Sequence, residues 1–158
     1  MKPLDLINSA NILVSSCRGK PSQVSLRRAT SSAYYALFHC LARNCADLLV
    51  GGTNATRSRH AWRQTYRALE HGFAKSACKD GIISQFPKAV EDFANSFVSL
   101  QEKRHAADYD PSIRLTKSEV IADIQTANAA IFEFQKVPLK DRRAFSAHVL
   151  FKKRATII

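Results

Sequence analysis

The sequence lacks most of the signatures that announce a chemistry. No glycine-rich loop of the phosphate-cradling kind occurs. No His-Glu-x-x-His run and no tight Cys/His cluster is present, and the paired Glu-x-x-His motifs of di-iron bundles are missing too. No metal ligand set and no cofactor is therefore expected. Four cysteines occur, Cys17, Cys40, Cys45 and Cys78, none at the two-residue spacing of a zinc site or redox pair. They read as small buried thiols. No serine or cysteine stands in an activating context for nucleophilic catalysis. No apolar run reaches the length of a bilayer, and Lys2-Pro3 leading into Asp5 and Asn8 is unlike a signal peptide. The expectation is a cytoplasmic protein with reduced thiols and no membrane contact.

Acidic residues are also scarce. There are 13 Asp and Glu against 24 Lys and Arg in 158 residues, a net charge of +11. Such a balance points to an anionic partner: nucleic acid first, a membrane surface second, an acidic protein third. Solubility alone is the competing reading, because the charge is spread along the chain.

What the chain does have is helical periodicity. No segment alternates as a strand, and no internal repeat is evident. Leu6, Ala10, Leu13 and Cys17, with Ile7 and Val14 beside them, mark a first helix entered at Pro3 and ended by Gly19-Lys-Pro21. Ser22 can cap a second. It runs to about Val50, with Tyr34, Leu37, Leu41, Asn44 and Leu48 on one side and Ala33, Ala36 and Cys40 near it. Tyr35, His39 and Arg43 form a polar line at four-residue spacing. Gly51 to Thr56 is a loop.

A third helix is expected over residues 60–75, with Trp62, Tyr66, Leu69 and Phe73 on its buried side. Arg59, Arg63, Arg67 and His71 follow one another at four-residue spacing. Like charges so placed repel, so this stripe is a candidate nucleic-acid-binding surface that tracks phosphates. A solvated face beside an acidic partner subunit is the alternative.

Pro87 can open a fourth helix carrying Val90, Phe93, Phe97 and Leu100. Arg104 then stands where the next core residue should be, with Asp108 one turn on. His105 and Tyr109 share that spacing on the adjacent face. Pro111 ends the helix, because the residue before a proline is pushed out of the α region. Thr116-Lys-Ser-Glu119 has the form of a capping box. It opens a fifth helix through Ile121, Ile124, Asn128, Ile131 and Phe132. After Pro138, residues 141–154 read as a short, basic-ended helix. The fold class is all-α, an up-and-down bundle of four to five core helices plus a short C-terminal helix. Residues 1–136 form the bundle, and 137–158 a basic extension packed on or beside it.

Metal-independent cleavage of RNA needs a base for the 2′-hydroxyl, a cation for the phosphate and an acid for the leaving oxygen. Histidine suits the proton roles and arginine the phosphate. Arg104, His105 and Tyr109 are therefore candidate catalytic residues, with Asp108 orienting or structural. A buried structural Arg104–Asp108 pair is the competing reading.

Two blocks, Arg28-Ala-Thr-Ser-Ser-Ala-Tyr-Tyr-Ala-Leu-Phe-His39 and Arg104-His-Ala-Ala-Asp-Tyr-Asp110, resemble the HEPN superfamily of small bacterial and archaeal helical domains. The likeness covers roughly residues 3–136. It implies a four- to five-helix bundle that dimerises. Many of its members are metal-independent endoribonucleases whose motif is an arginine, a polar neighbour, and a histidine four to six residues after the arginine. Arg104 and His105 match the first two. Tyr109, Asp110 and Pro111 occupy the places of the histidine, so the motif is degenerate here. Other members bind RNA or nucleotides without cleaving, or partner a small nucleotidyltransferase. Both kinds occur in toxin–antitoxin and defence systems. The resemblance thus implies a homodimer with RNA, a nucleotide or a nucleotidyltransferase protein as partner.

Overall fold

A computed structural model describes residues 1–16 and 18–153. Seven α-helices follow in order: α1 (Pro3–Ser15), α2 (Gln23–Leu49), α3 (Arg59–Arg67), α4 (His71–Cys78), α5 (Lys88–Tyr109), α6 (Lys117–Phe134) and α7 (Leu139–Leu150). A 3-10 turn, Gly81–Gln85, joins α4 to α5. Among the described residues there is no strand, and the bundle is all-α as its periodicity predicts.

The longest helix is central. α2 packs against α1, α3, α5, α6 and α7. Its alanines make this close packing feasible: Ala29, Ala33, Ala36, Ala42 and Ala46 are all fully buried, and a methyl group lets a neighbouring backbone approach. Ser22 starts α2 by accepting a hydrogen bond from Ser25 N at 3.1 Å, as an N-cap should. Gly51, just past its end, adopts φ +140°, and a Cβ there would meet Ala55 Cβ at 3.1 Å. The chain can turn away at this point because the residue is glycine.

The core between α2, α5, α6 and α7 is aromatic. Phe93 stacks on Phe134 with centroids 4.4 Å apart, and Phe145 meets both edge-on. Phe145 and Val149 belong to the same buried cluster as the α2 and α5 residues. The C-terminal helix is thus built into the bundle core. The helix expected over 141–154 instead runs from Leu139 to Leu150, because Phe151 is extended (φ −102°, ψ 127°) and the chain leaves the helix there; Arg154 and Cys17 lie outside the described residues.

Two expectations need correction. The single helix over 60–75 is two. Glu70 is extended (φ −107°, ψ 134°) and caps the start of α4, while Leu69 drops into the core at 5% exposure. The break lets α3 lie on α2 while α4 turns to α5 and α7. One straight rod cannot reach both. The face of α6 is also displaced: Val120, Asp123, Ile124, Ala127, Ala130, Ile131 and Phe134 are buried, whereas Asn128 is exposed and Phe132 is 60% exposed. The capping box at Thr116 and Glu119 forms as expected.

Arg27 of α2 grips the end of α5 through three main-chain carbonyls. Arg27 donates from Nη1 to the carbonyls of Ala107 and Asp110, and from Nη2 to that of Ile113, each at 2.8 Å. These oxygens are at or beyond the negative end of the α5 dipole, where a cation is favoured. Gln23 then pairs with Leu115 through both its amide nitrogen and its oxygen at 2.9 Å. Replacing Arg27 by methionine keeps the stem but leaves three carbonyls to find water. We expect a loss of about 2 kcal/mol on the scale of hydrogen bonds to charged groups, measured by urea unfolding. Hydrogen exchange should accelerate first at residues 107–115.

Candidate functional site

The polar line of α2 meets the last turns of α5 beside α1 and α3. Arg104 projects from α5 onto this line. Its guanidinium carbon lies 5.2 Å from the Tyr34 ring centre and 5.7 Å from that of Tyr35. The side chain is only 11% exposed, and Nη1 reaches Asp108 Oδ2 at 3.4 Å. Its Nε is buried without a partner. The cation is accommodated by two ring faces and one carboxylate, which offset part of its desolvation. His105 and Tyr109 also come together, with ring centres 5.0 Å apart. Both are exposed, Tyr109 at 69%. The two spacings seen in the sequence thus become two real pairs, one enclosed and one open.

The basic stripe is divided. Arg59, Arg63 and Arg67 stand exposed on α3, and among the described residues none of them has a carboxylate within ion-pair distance. His71 does not join them. It stands on α4, where Nδ1 meets the Tyr34 hydroxyl at 2.6 Å and the ring stacks on Phe38 at 4.1 Å. The α3–α4 break turned it towards α2.

Several participants went unnoticed in the sequence. Arg57, in the loop before α3, lies over the Trp62 ring at 4.9 Å. It also bonds Asp47 Oδ1 and the Gly51 carbonyl. Trp62 Nε1 donates to the same Asp47 oxygen at 2.8 Å. A cavity of about 210 Å³ is lined by Arg57, Arg59, Trp62 and Arg63. A wider groove of about 500 Å³ opens between α1 and α2, where Arg28, Ser31, Ser32, Tyr35, His39 and Asp108 face Leu6 and Leu13. The signal for it was the recurrence of Arg28, Ser32, Tyr35 and His39 at helical spacing. That recurrence has meaning only once α1 and α5 flank it.

Burial sets the proton inventory. The Tyr34 hydroxyl is pushed well above the ordinary phenol range, chiefly by desolvation, although Arg104 opposes this. It therefore keeps its proton near neutrality and shares one hydrogen bond with His71 Nδ1. His71 is held below its ordinary value by burial, then by Arg104 and His39. His39 is lowered by burial and then by the N-terminal amine. It bonds the Tyr66 hydroxyl through Nδ1. The thiols of Cys40, Cys45 and Cys78 are buried and pushed up to about 12 by desolvation, so they are not nucleophiles near neutrality. Among the described residues no three His, Cys, Asp or Glu side chains converge as a metal site. No helix among them is long and apolar enough to cross a membrane.

No family model matches the chain, and neither a curated protein nor a solved structure does.

The neutral His71 has a consequence for stability. Its folded pKa lies below the unfolded value of about 6.5, so the unfolded chain takes up the proton first as pH falls. The contribution is complete above the unfolded value and is lost as pH drops through it towards the folded one. Thermal unfolding followed from pH 7.5 to 5 should show a falling Tm, and His71→Gln should flatten that fall. NMR titration should place the His71 midpoint below 6.5.

Proposed function

We propose that the chain is a HEPN-like RNA- or nucleotide-binding protein that acts as a homodimer in a toxin–antitoxin or defence-type system, with a degenerate ribonuclease motif. The binding reading is carried by one observation: Arg59, Arg63 and Arg67 are exposed on one short helix with no carboxylate partner among the described residues. Their mutual repulsion is relieved by water or by an anion. Planar, permanently charged guanidinium groups suit phosphate, and the net charge of +11 favours approach of a polyanion. The enclosure of Arg104 supports the non-catalytic form, because its charge is directed at Tyr34, Tyr35 and Asp108 rather than outward. The likeness of α2 and the end of α5 to HEPN domains supports the dimer and its setting.

A second reading, an endoribonuclease of altered chemistry, is favoured by the unpartnered Nε of Arg104 and the open His105–Tyr109 pair one residue on. In a dimer that brings two such ends together, both sets would line one cleft. Arg104 would then stabilise charge on the phosphate, and His105 and Tyr109 would handle protons.

Filter binding across a salt series tests the first reading. The affinity for RNA should fall with salt, and Arg59→Gln, Arg63→Gln and Arg67→Gln together should reduce the log–log slope by about 2, as expected for three lost phosphate contacts on a single strand. No salt-dependent binding would count against it. For the second reading, purified protein should cleave RNA in the presence of a chelator. Activity that survives both Arg104→Ala and His105→Ala would remove it.

A further inference from the structure

The two cavities described above lie on different helices, yet one row of rings joins them. Trp62 lines the smaller cavity. Its ring centre is 5.2 Å from that of Tyr66. Tyr66 stacks on His39 at 5.9 Å and is hydrogen-bonded to it. His39 is 6.1 Å from Tyr35, and these two line the larger groove. The row is bracketed by cations, Arg57 over Trp62 at one end and Arg104 over Tyr35 at the other. All four rings are half-buried, so each retains some surface open to a ligand. Asp47 orients Trp62, and the Tyr66–His39 bond orients the next two rings. Tyr66 lines neither cavity and serves as the spacer.

We infer that the two cavities are successive seats on one binding path for an extended single-stranded RNA segment. The inference rests on the RNA-binding reading and adds the path and the strandedness. Arg59 and Arg63 supply cations at the first seat and Arg28 at the second. At each seat an aromatic surface stands beside those cations, Trp62 in one and Tyr35 with His39 in the other. Cations alone would hold any polyanion. Rings set beside cations favour a strand whose base faces are free, because bases stack on aromatic side chains. A duplex keeps those faces covered. The second seat also offers Ser31, Ser32 and the free oxygen of Asp108 to base edges. A phosphate-only patch has no use for these groups.

The path is tested with one RNA sequence, supplied as a single strand of about ten nucleotides and as a duplex. The single strand should bind more tightly. Trp62→Leu and Tyr35→Leu should each weaken it about tenfold while leaving duplex affinity unchanged. Circular dichroism checks that the variants fold. Wild-type protein photo-cross-linked to the strand carrying 5-iodouridine provides a reading that needs no variant. Mass spectrometry should find adducts at Trp62 and at Tyr35 or His39. Equal affinity for duplex, adducts confined to α3, or displacement of the strand by polyglutamate as readily as by RNA would each overturn the path. Salt-dependent binding that persists in those cases leaves the RNA-binding reading intact. Absence of any RNA binding removes both.

Discussion

Arg27 holds three main-chain carbonyls with one guanidinium, and the geometry of the candidate site depends on that grip. The carbonyls belong to Ala107, Asp110 and Ile113, so the grip spans the last turn of α5, the bend at Pro111 and the chain beyond it. Gln23, one turn earlier on α2, continues it to Leu115. A helix end and its exit loop are ordinarily among the first parts of a fold to open. Here they are tied to the first two turns of the central helix. Arg104 and Asp108 sit within the turns so anchored, which fixes where they meet Tyr34 and Tyr35.

That registration explains how an arginine can occupy the apolar face of α5. Phe93, Phe97 and Leu100 below it are buried, and an uncompensated charge next in line would be costly. α2 offers two tyrosine rings at that level, and Asp108 completes the shell. The same arrangement governs protons nearby. Tyr34 lies between Arg104 and His71, and the cation helps to keep that imidazole neutral. Arg104 thus has a structural part whether or not it also meets phosphate.

The elements within helical reach of one another were legible from spacing. Arg104 with Asp108 and His105 with Tyr109 are separated by one turn, so the helix alone brings them together. Capping by Ser22 and by Thr116 with Glu119 was legible for the same reason, since each cap acts within three residues. The break at Leu69 was not. Its cause is that α3 is drawn to α2 while α4 is drawn to α5 and α7, and no local pattern encodes that competition. Spacing alone therefore groups His71 with the arginine stripe, although its partner is Tyr34, 37 residues away. Arg57 was missed because its partners, Asp47, Gly51 and Trp62, lie on both sides of a loop.

The sequence by itself determined the all-α class, most helix boundaries, the buried faces of α1, α2 and α5, and the pairing within the last turns of α5. Periodicity and capping are local, and local chemistry is enough to specify them. The tertiary structure alone decided that α2 is central, that α7 shares its core, and that α3 and α4 part at Leu69. It also decided that the polar line of α2 becomes one side of a groove. Each of these depends on which faces are buried against which, and burial is a property of the assembled chain. The arginines of α3 and the rings of α2 come side by side because α3 packs on α2, with Tyr66 reaching His39 and Trp62 reaching Asp47.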